Sequence, residues 1–178
     1  MGYYPKMTGQ RLYLSPVNPD DADKYIAWMN DPLIAGHFGQ SHRVVGSKGD
    51  LDWLFAPPTD TQRYAIVLKE GDTMIGVISL QNIDHLHRTA FFGIFIGEAQ
   101  HRGKGYGAEA IRLLLAYGFD TLNLNNIMLS VNADNVAAIS CYEKVGFKPA
   151  GRRREWVFKG GKYIDRLYMD MLVREFES

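Results

Sequence analysis

Apolar residues Leu12 and Leu14 alternate with polar neighbours and predict a first strand that Pro16 ends. Ala22, Tyr25, Ile26 and Met29 then recur at helical spacing, behind Asn18 as N-cap, Pro19 at the first helical position and Asp20 and Asp21 in the first turn. Asp31-Pro32 is expected to close that helix. From Leu33 to Asp60 the pattern is irregular, with Gly36, Gly39, Gly46, Gly49 and Pro57-Pro58 around one apolar piece, Leu51 to Phe55, and predicts a loop carrying one short helix. Three strand-like runs follow at Tyr64 to Leu68, Met74 to Leu80 and Thr89 to Ile96. Their short links, Glu70-Gly71-Asp72 and Asp84 to Arg88, predict antiparallel pairing.

The period then changes. A glycine-rich turn at Gly103 to Gly107 leads into a helical stripe of Ile111, Leu114, Leu115, Gly118 and Leu122. Ile127 to Val131 predicts another strand, and Asn135 starts a helix with Ala138, Ile139, Tyr142 and Val145 inward and Gly146 as its C′ residue. Trp156 to Phe158 and Ile164 to Met171 flank Gly160-Gly161 as a hairpin. The predicted order is β-α-α-β-β-β-α-β-α-β-β, with seven strands, about four helices and an α/β (α+β) class. No repeat or linker interrupts it, so residues 1–178 are expected to form a single domain.

Composition narrows the function classes. Lys plus Arg and Asp plus Glu are each 20, and this zero balance argues against nucleic acid or an anionic membrane as a partner. The apolar stretches Ala90 to Gly97 and Leu113 to Phe119 fall well short of the roughly 20 residues that span a bilayer. One cysteine, Cys141, excludes an internal disulfide and a Cys-rich zinc site; together with the absence of an apolar leader it predicts a cytoplasmic protein without a metal centre.

The sharpest chemical feature is Arg102-Gly103-Lys104-Gly105-Tyr106-Gly107-Ala108. Glycines at alternate positions between a strand and a helix let backbone amides approach an anion, and the helix dipole favours it. The alternative is a turn whose glycines only supply positive φ. A dinucleotide fold fits poorly, because about 100 residues precede the turn and Ile127 stands where the ribose-binding acid belongs. GxxxxGK[ST] does not occur.

Arg102 to Gly107 follow the R/Q-x-x-G-x-G/A acyl-CoA signature of the GNAT acetyltransferases, and Asn135, Ala138-Ile139 and Tyr142-Glu143-Lys144-Val145-Gly146-Phe147 follow their second signature. The chain resembles the branch that contains ribosomal-protein N-terminal acetyltransferases and spermidine acetyltransferases. This resemblance implies a mixed, seven-stranded twisted sheet that splays between its fourth and fifth strands, with acetyl-CoA in the gap. It implies that pantetheine pairs with Ile94, Phe95 and Ile96 and that pyrophosphate sits on Arg102, Gly103, Lys104, Gly105, Tyr106, Gly107 and Ala108. Asn135 would contact the pantetheine arm, and Tyr142 would protonate the departing thiolate. A phenol with a pKa near 10 holds its proton at neutral pH, which suits that role; a core tyrosine on the same apolar stripe is the alternative. Cys141 is expected to be a small buried hydrophobe rather than a nucleophile.

The acceptor side departs from the pattern. Branch members often carry Glu in an Ala-Glu-Phe step of the fourth strand, and Phe91 stands there instead. Asp84, His85, His87, Glu98, His101 and Asp165 are expected at loop or edge positions in water rather than as a base, and Arg152-Arg153-Arg154 as a solvated turn entering the hairpin, with a rim contact to an acidic acceptor or a coenzyme phosphate as the alternative. His37, His42 and Arg43 would line the acceptor side by family analogy, without an acid. The expected function is acetyl-CoA-dependent transfer of acetyl to a primary amine by direct attack in a ternary complex. The amine would belong to an amino acid, a peptide N-terminus or a small molecule, with His37 and Phe91 on its binding side. Branch members are often dimers, which makes a homodimer one expectation while the sequence leaves the oligomeric state open. A polyamine acetyltransferase and a non-catalytic acyl-CoA sensor are the alternatives.

Overall fold

In the computed structural model, which describes residues 2–37 and 44–176, the alternating runs up to Ile96 pair in sequence order, the last three of them through short links. Strands β1 (Met7–Thr8), β2 (Leu12–Pro16), β3 (Gln62–Leu68), β4 (Thr73–Asp84) and β5 (Thr89–Ile96) form an antiparallel half-sheet. Strand β6 (Asn126–Asn132) joins β5 in parallel, and the hairpin of β7 (Lys148–Lys159) and β8 (Lys162–Leu172) adds on antiparallel through β8. Among the described residues the sheet has eight strands in the order β1-β2-β3-β4-β5-β6-β8-β7. The expected mixed sheet is present with one strand more than seven. Met7–Thr8 pairs with Tyr13 and Leu14 but is two residues long, too short for alternation to reveal it.

The helices are α1 (Ala22–Met29), α2 (Pro32–His37), α3 (Asp52–Phe55), α4 (Tyr106–Ala116) and α5 (Val136–Val145). Asn18 accepts a hydrogen bond from the Asp20 N–H at 3.0 Å, but it caps a 3-10 turn over Pro19–Asp21 that precedes α1. Asp31-Pro32 both closes α1 and opens α2. The Asp31 carboxylate accepts from the Leu33 N–H at 2.8 Å, and proline is tolerated in the first helical turn, so the dipeptide is a start signal as well as a stop. Strand β7 begins at Lys148 rather than near Trp156, because register shifts at Pro149/Gly151 and Arg153/Val157 break its alternation and nearly all of it is exposed. No helix among the described residues is long and apolar enough to cross a membrane.

Two cores cover the two faces of the sheet. Leu12, Leu14, Ile66, Ile78, Leu80 and Phe92 meet α4 through Ile111, Leu114 and Leu115 and meet α5 through Tyr142. On the opposite face Tyr13, Ala65, Val67 and Val77 pack with Tyr25 and Trp28 of α1 and with Leu51 and Leu54 around α3. Strand β5 divides its side chains between them. Phe92, Ile94 and Ile96 lie toward α4 and α5, and Phe95 lies toward α1 with its ring 5.9 Å from Trp28.

Strands β5 and β6 stay together only at Thr89↔Asn126, Ala90↔Ile127 and Phe91↔Met128. Beyond Phe91 the two diverge, so residues 92–96 pair with β4 alone. The closed end is pinned by the Arg88 carbonyl, which accepts from the Asn125 N–H at 2.6 Å, and by the Arg88 guanidinium, whose Nε donates to the Asn123 carbonyl at 2.7 Å. At the far end Gly97 donates its N–H to the Ile75 carbonyl at 2.9 Å and lies against the Trp28 indole. A Cβ on Gly97 would come within 2.0 Å of Trp28 Cε2, so Gly97→Ala is expected to push the indole out of place. The cost should be about 1–3 kcal/mol, read by urea unfolding, with Tm falling about 2–4 °C per kcal/mol.

Candidate active site

The turn between β5 and α4 is built by two left-handed glycines, Gly103 with φ 71° and Gly105 with φ 82°. The first intrahelical bond runs from the Glu109 N–H to the Gly105 carbonyl at 3.1 Å, so the amides of Tyr106, Gly107 and Ala108 ahead of it have no acceptor within the helix. A Cβ on Gly103 or Gly107 would meet nothing within 4 Å. Open space therefore adjoins a row of outward N–H groups at the positive end of an 11-residue helix. Such a cradle fits the pyrophosphate of acetyl-CoA.

Arg102 closes this turn onto the strand before it. Its Nε donates to the Ile96 carbonyl at 3.0 Å and its Nη2 to the Gly97 carbonyl, while its own N–H goes to the Ala99 carbonyl at 3.0 Å. The guanidinium thus shapes the loop from within. Arg11, which sequence reasoning missed, holds the turn from outside. It donates from Nη1 to the Lys104 carbonyl at 2.9 Å and lies over the Tyr106 ring at 4.7 Å. Its backbone N–H and Nε both reach the Glu109 carboxylate at 2.8 Å. Burial raises the Glu109 pKa, but these bonds from Arg11 outweigh it and leave the carboxyl below its ordinary value. The two residues are 98 positions apart, so no local signal could have joined them.

Across the gap, Asn135 caps α5, its side-chain oxygen accepting from the Ala138 N–H at 3.2 Å. Tyr142 lies two turns along that helix and is 9% exposed, with its ring 6.1 Å from Phe92 and 6.0 Å from Phe147. Burial raises its phenol pKa above the ordinary range, Cys141 adds to this, and the Arg166 guanidinium partly opposes it. The phenol therefore stays protonated at neutral pH. Half-buried Cys141 also has a raised pKa, chiefly through burial, which keeps it a thiol.

The structure brings Ile94, Phe95, Ile96, the Gly103–Ala108 turn, Asn135 and Tyr142 around the splay. Phe91 is at the closed end, 37% exposed, and on the α1 face by alternation with Phe92. His37 ends α2, whose Gly36 carbonyl accepts from Asn132 Nδ2 of β6 at 3.4 Å. His42 and Arg43 lie outside the described residues. His85 is exposed in the turn before β5, and the remaining titratable candidates are engaged elsewhere. Asp84 is bound by the His87 N–H at 2.8 Å in an exposed turn, and Glu98 has Lys24 Nζ and His101 Nε2 each at 3.2 Å. The Asp165 carboxylate is bound by Arg152 and by the Glu155 N–H. No group of His, Cys, Asp and Glu suited to a metal occurs among the described residues.

Residues 11–148 match the acetyltransferase (GNAT) domain family. The chain belongs to the GNAT acetyltransferase family. This acetyltransferase is 36% identical to the probable N-acetyltransferase YjcK of Bacillus subtilis over 97% of its own length and 99% of that protein. It is 36% identical to a spermidine N(1)-acetyltransferase of Vibrio cholerae over 62% of this chain and 64% of the other. A solved structure of spermidine N-acetyltransferase from Vibrio cholerae with CoA and spermine superposes with a TM-score of 0.84 at 28% identity, covering 94% of this chain and 98% of that one. The enzyme is an N-acetyltransferase with acetyl-CoA as co-substrate. Gly107→Glu is expected to separate fold from ligand binding. An acid in the first turn favours the helix dipole, so the apo Tm should hold or rise, while the Tm increase given by coenzyme A should disappear in thermal denaturation.

Proposed function

We propose that the protein works as one cytoplasmic domain that acetylates a primary amine, and that Tyr142 is its general acid. The observation that carries this reading is the splay itself, where an unpaired β5 edge, an amide-lined turn and a buried phenol converge on one gap. Acetyl-CoA supplies the acetyl thioester, which the amine attacks directly in a ternary complex. The amides of Gly103 to Ala108 hold the pyrophosphate, with Arg102 and Lys104 completing that turn. Ile94, Phe95 and Ile96 offer their free edge to the pantetheine, and Asn135 meets the same arm from α5. Backbone N–H groups of β5 polarise the thioester carbonyl. As the C–N bond forms and the C–S bond breaks, Tyr142 gives its proton to the sulfur, and the proton lost by the attacking nitrogen returns to the phenol through solvent; burial that keeps the phenol neutral supports the role.

His37 and Phe91 line the acceptor side in this proposal, and an aromatic ring in place of a carboxylate favours amino acids, peptide N-termini or other amines of low charge. A polyamine is the second reading, supported by the spermidine acetyltransferases among the relatives. Self-association as a homodimer belongs to the same proposal, supported by a relative solved as a dodecamer, spermidine N-acetyltransferase from Vibrio cholerae.

Tyr142→Phe should leave the coenzyme A melting shift intact and lower kcat by about 10²-fold or more in a thiol-release assay. Unchanged kcat with a verified acceptor would reassign Tyr142 to core packing. In the same assay wild type should turn over amino-acid or peptide amines at a higher kcat/KM than spermidine, and Phe91→Glu should shift the ratio toward spermidine. A tenfold wild-type preference for spermidine would establish the polyamine reading instead.

A further inference from the structure

On the sheet face opposite Tyr142, next to the open side of the splay, Arg166 of β8 is half-buried among polar side chains. Its Nε donates to Ser130 Oγ at 3.1 Å and its Nη1 to Asn132 Oδ1 at 2.9 Å. Asn132, 1% exposed, is thereby oriented and spends its amide nitrogen on the Gly36 carbonyl of α2. These contacts use two of the five guanidinium N–H donors. Among the described residues no carboxylate is paired with Arg166. Asp170, on the same face of β8, accepts from Asn126 Nδ2 at 3.0 Å, and Asp165 is taken by Arg152 and the Glu155 N–H.

The register sharpens the anomaly. Arg166 has Asn132 opposite on one side and Arg153 directly opposite on the other, where Arg153 lies over the Trp156 ring at 3.4 Å. Like charges directly opposed across strands destabilise a sheet, and a partly buried guanidinium without an anion bears a desolvation cost. An anion at the Arg166 fork would offset both costs. A carboxylate suits the planar fork, which binds it through two parallel hydrogen bonds.

Place connects this pair to the chemistry. The Arg166 charge partly opposes the rise that burial causes in the Tyr142 phenol pKa. Asn132, which Arg166 holds, also accepts the Asn135 N–H at 2.9 Å and so anchors the start of the helix that carries Tyr142. A group bound at Arg166 is therefore beside the gap, on the face that α2 and Phe91 share.

We propose that Arg166, with Arg153 beside it, binds a carboxylate carried by the amine acceptor, so that the substrate class is an amine with an acid group close to the reacting nitrogen. This rests on the acetyltransferase reading above and deepens it. Free α-amino acids and peptides with an acidic first residue share that chemistry.

The test compares matched acceptors: α-amino acids against their carboxamides, and peptides beginning with Asp against those beginning with Asn. Thiol release gives kcat/KM, and calorimetry on the protein saturated with coenzyme A gives binding without turnover. Wild type should prefer the carboxylate member of at least one series by tenfold or more, and which series shows it distinguishes the two sources. In Arg166→Gln that preference should collapse toward unity, with the loss in KM rather than kcat, while Arg166→Lys should retain part of it. The coenzyme A melting shift confirms that each variant is folded. If Arg166→Gln unfolds, Arg153→Gln should still reduce the preference. No carboxylate preference in wild type by either readout, or an equal loss on charged and neutral acceptors in Arg166→Gln, would overturn the proposal. Carboxylate-selective binding without turnover of any amine would uphold the site and overturn the catalytic reading instead.

Discussion

Three residue pairs between β5 and β6 govern this molecule. Parallel pairing from Thr89 to Phe91 is enough to keep one sheet, and its end at Phe91 leaves Phe92–Ile96 with a neighbouring strand on one side only. Backbone N–H and C=O groups demand partners, so an open edge inside a sheet is kept only where something polar will meet it. An extended amide-bearing chain such as pantetheine answers that demand with the geometry of a missing strand. The clamps at each end show how the gap is held. Arg88 fastens the closed end to the segment before β6, while Arg102 and Gly97 fix the far end against the loop and against Trp28.

The glycine turn depends on the same economy of partners. Its shape is fixed by bonds to carbonyls in it and in the strand end before it: Lys104 offers its carbonyl to Arg11, and Ile96 and Gly97 offer theirs to Arg102. Glu109 balances Arg11 and ties the first turn of α4 to the start of β2. Positive φ at Gly103 and Gly105 is the conformational condition for this, since a Cβ at either would strain the backbone.

The proposed reading puts specificity on the other face. Likeness to the spermidine acetyltransferases extends over the fold, and in that proposal the acceptor meets Phe91 and Arg166, with Arg153 opposite in register, rather than carboxylates. Asp165 and Asp170 lie on the same strand, yet their oxygens are bound by Arg152, the Glu155 N–H and Asn126. Shared architecture and coenzyme chemistry do not by themselves fix the acceptor.

Local pattern alone determined most of the elements, and the roles expected of the site residues came from the two linked signatures of the family. Alternation at Tyr64 to Leu68 and helical spacing from Ile111 to Leu115 are properties of neighbouring residues, as are the glycine turn and the Asn135 cap, and each was legible without a fold. Two elements escaped for equally local reasons: Met7–Thr8 is too short to alternate, and Asp31-Pro32 carries a stop and a start in the same two residues. Tertiary structure alone decided which distant groups meet. Nothing in the chain joins Arg11 to Glu109, Arg102 to the carbonyls before it, or Arg166 to Ser130, Asn132 and Arg153. Side-chain hydrogen bonds and opposed charges depend on register and on which face of a strand each residue takes, and those are set only when the whole sheet assembles.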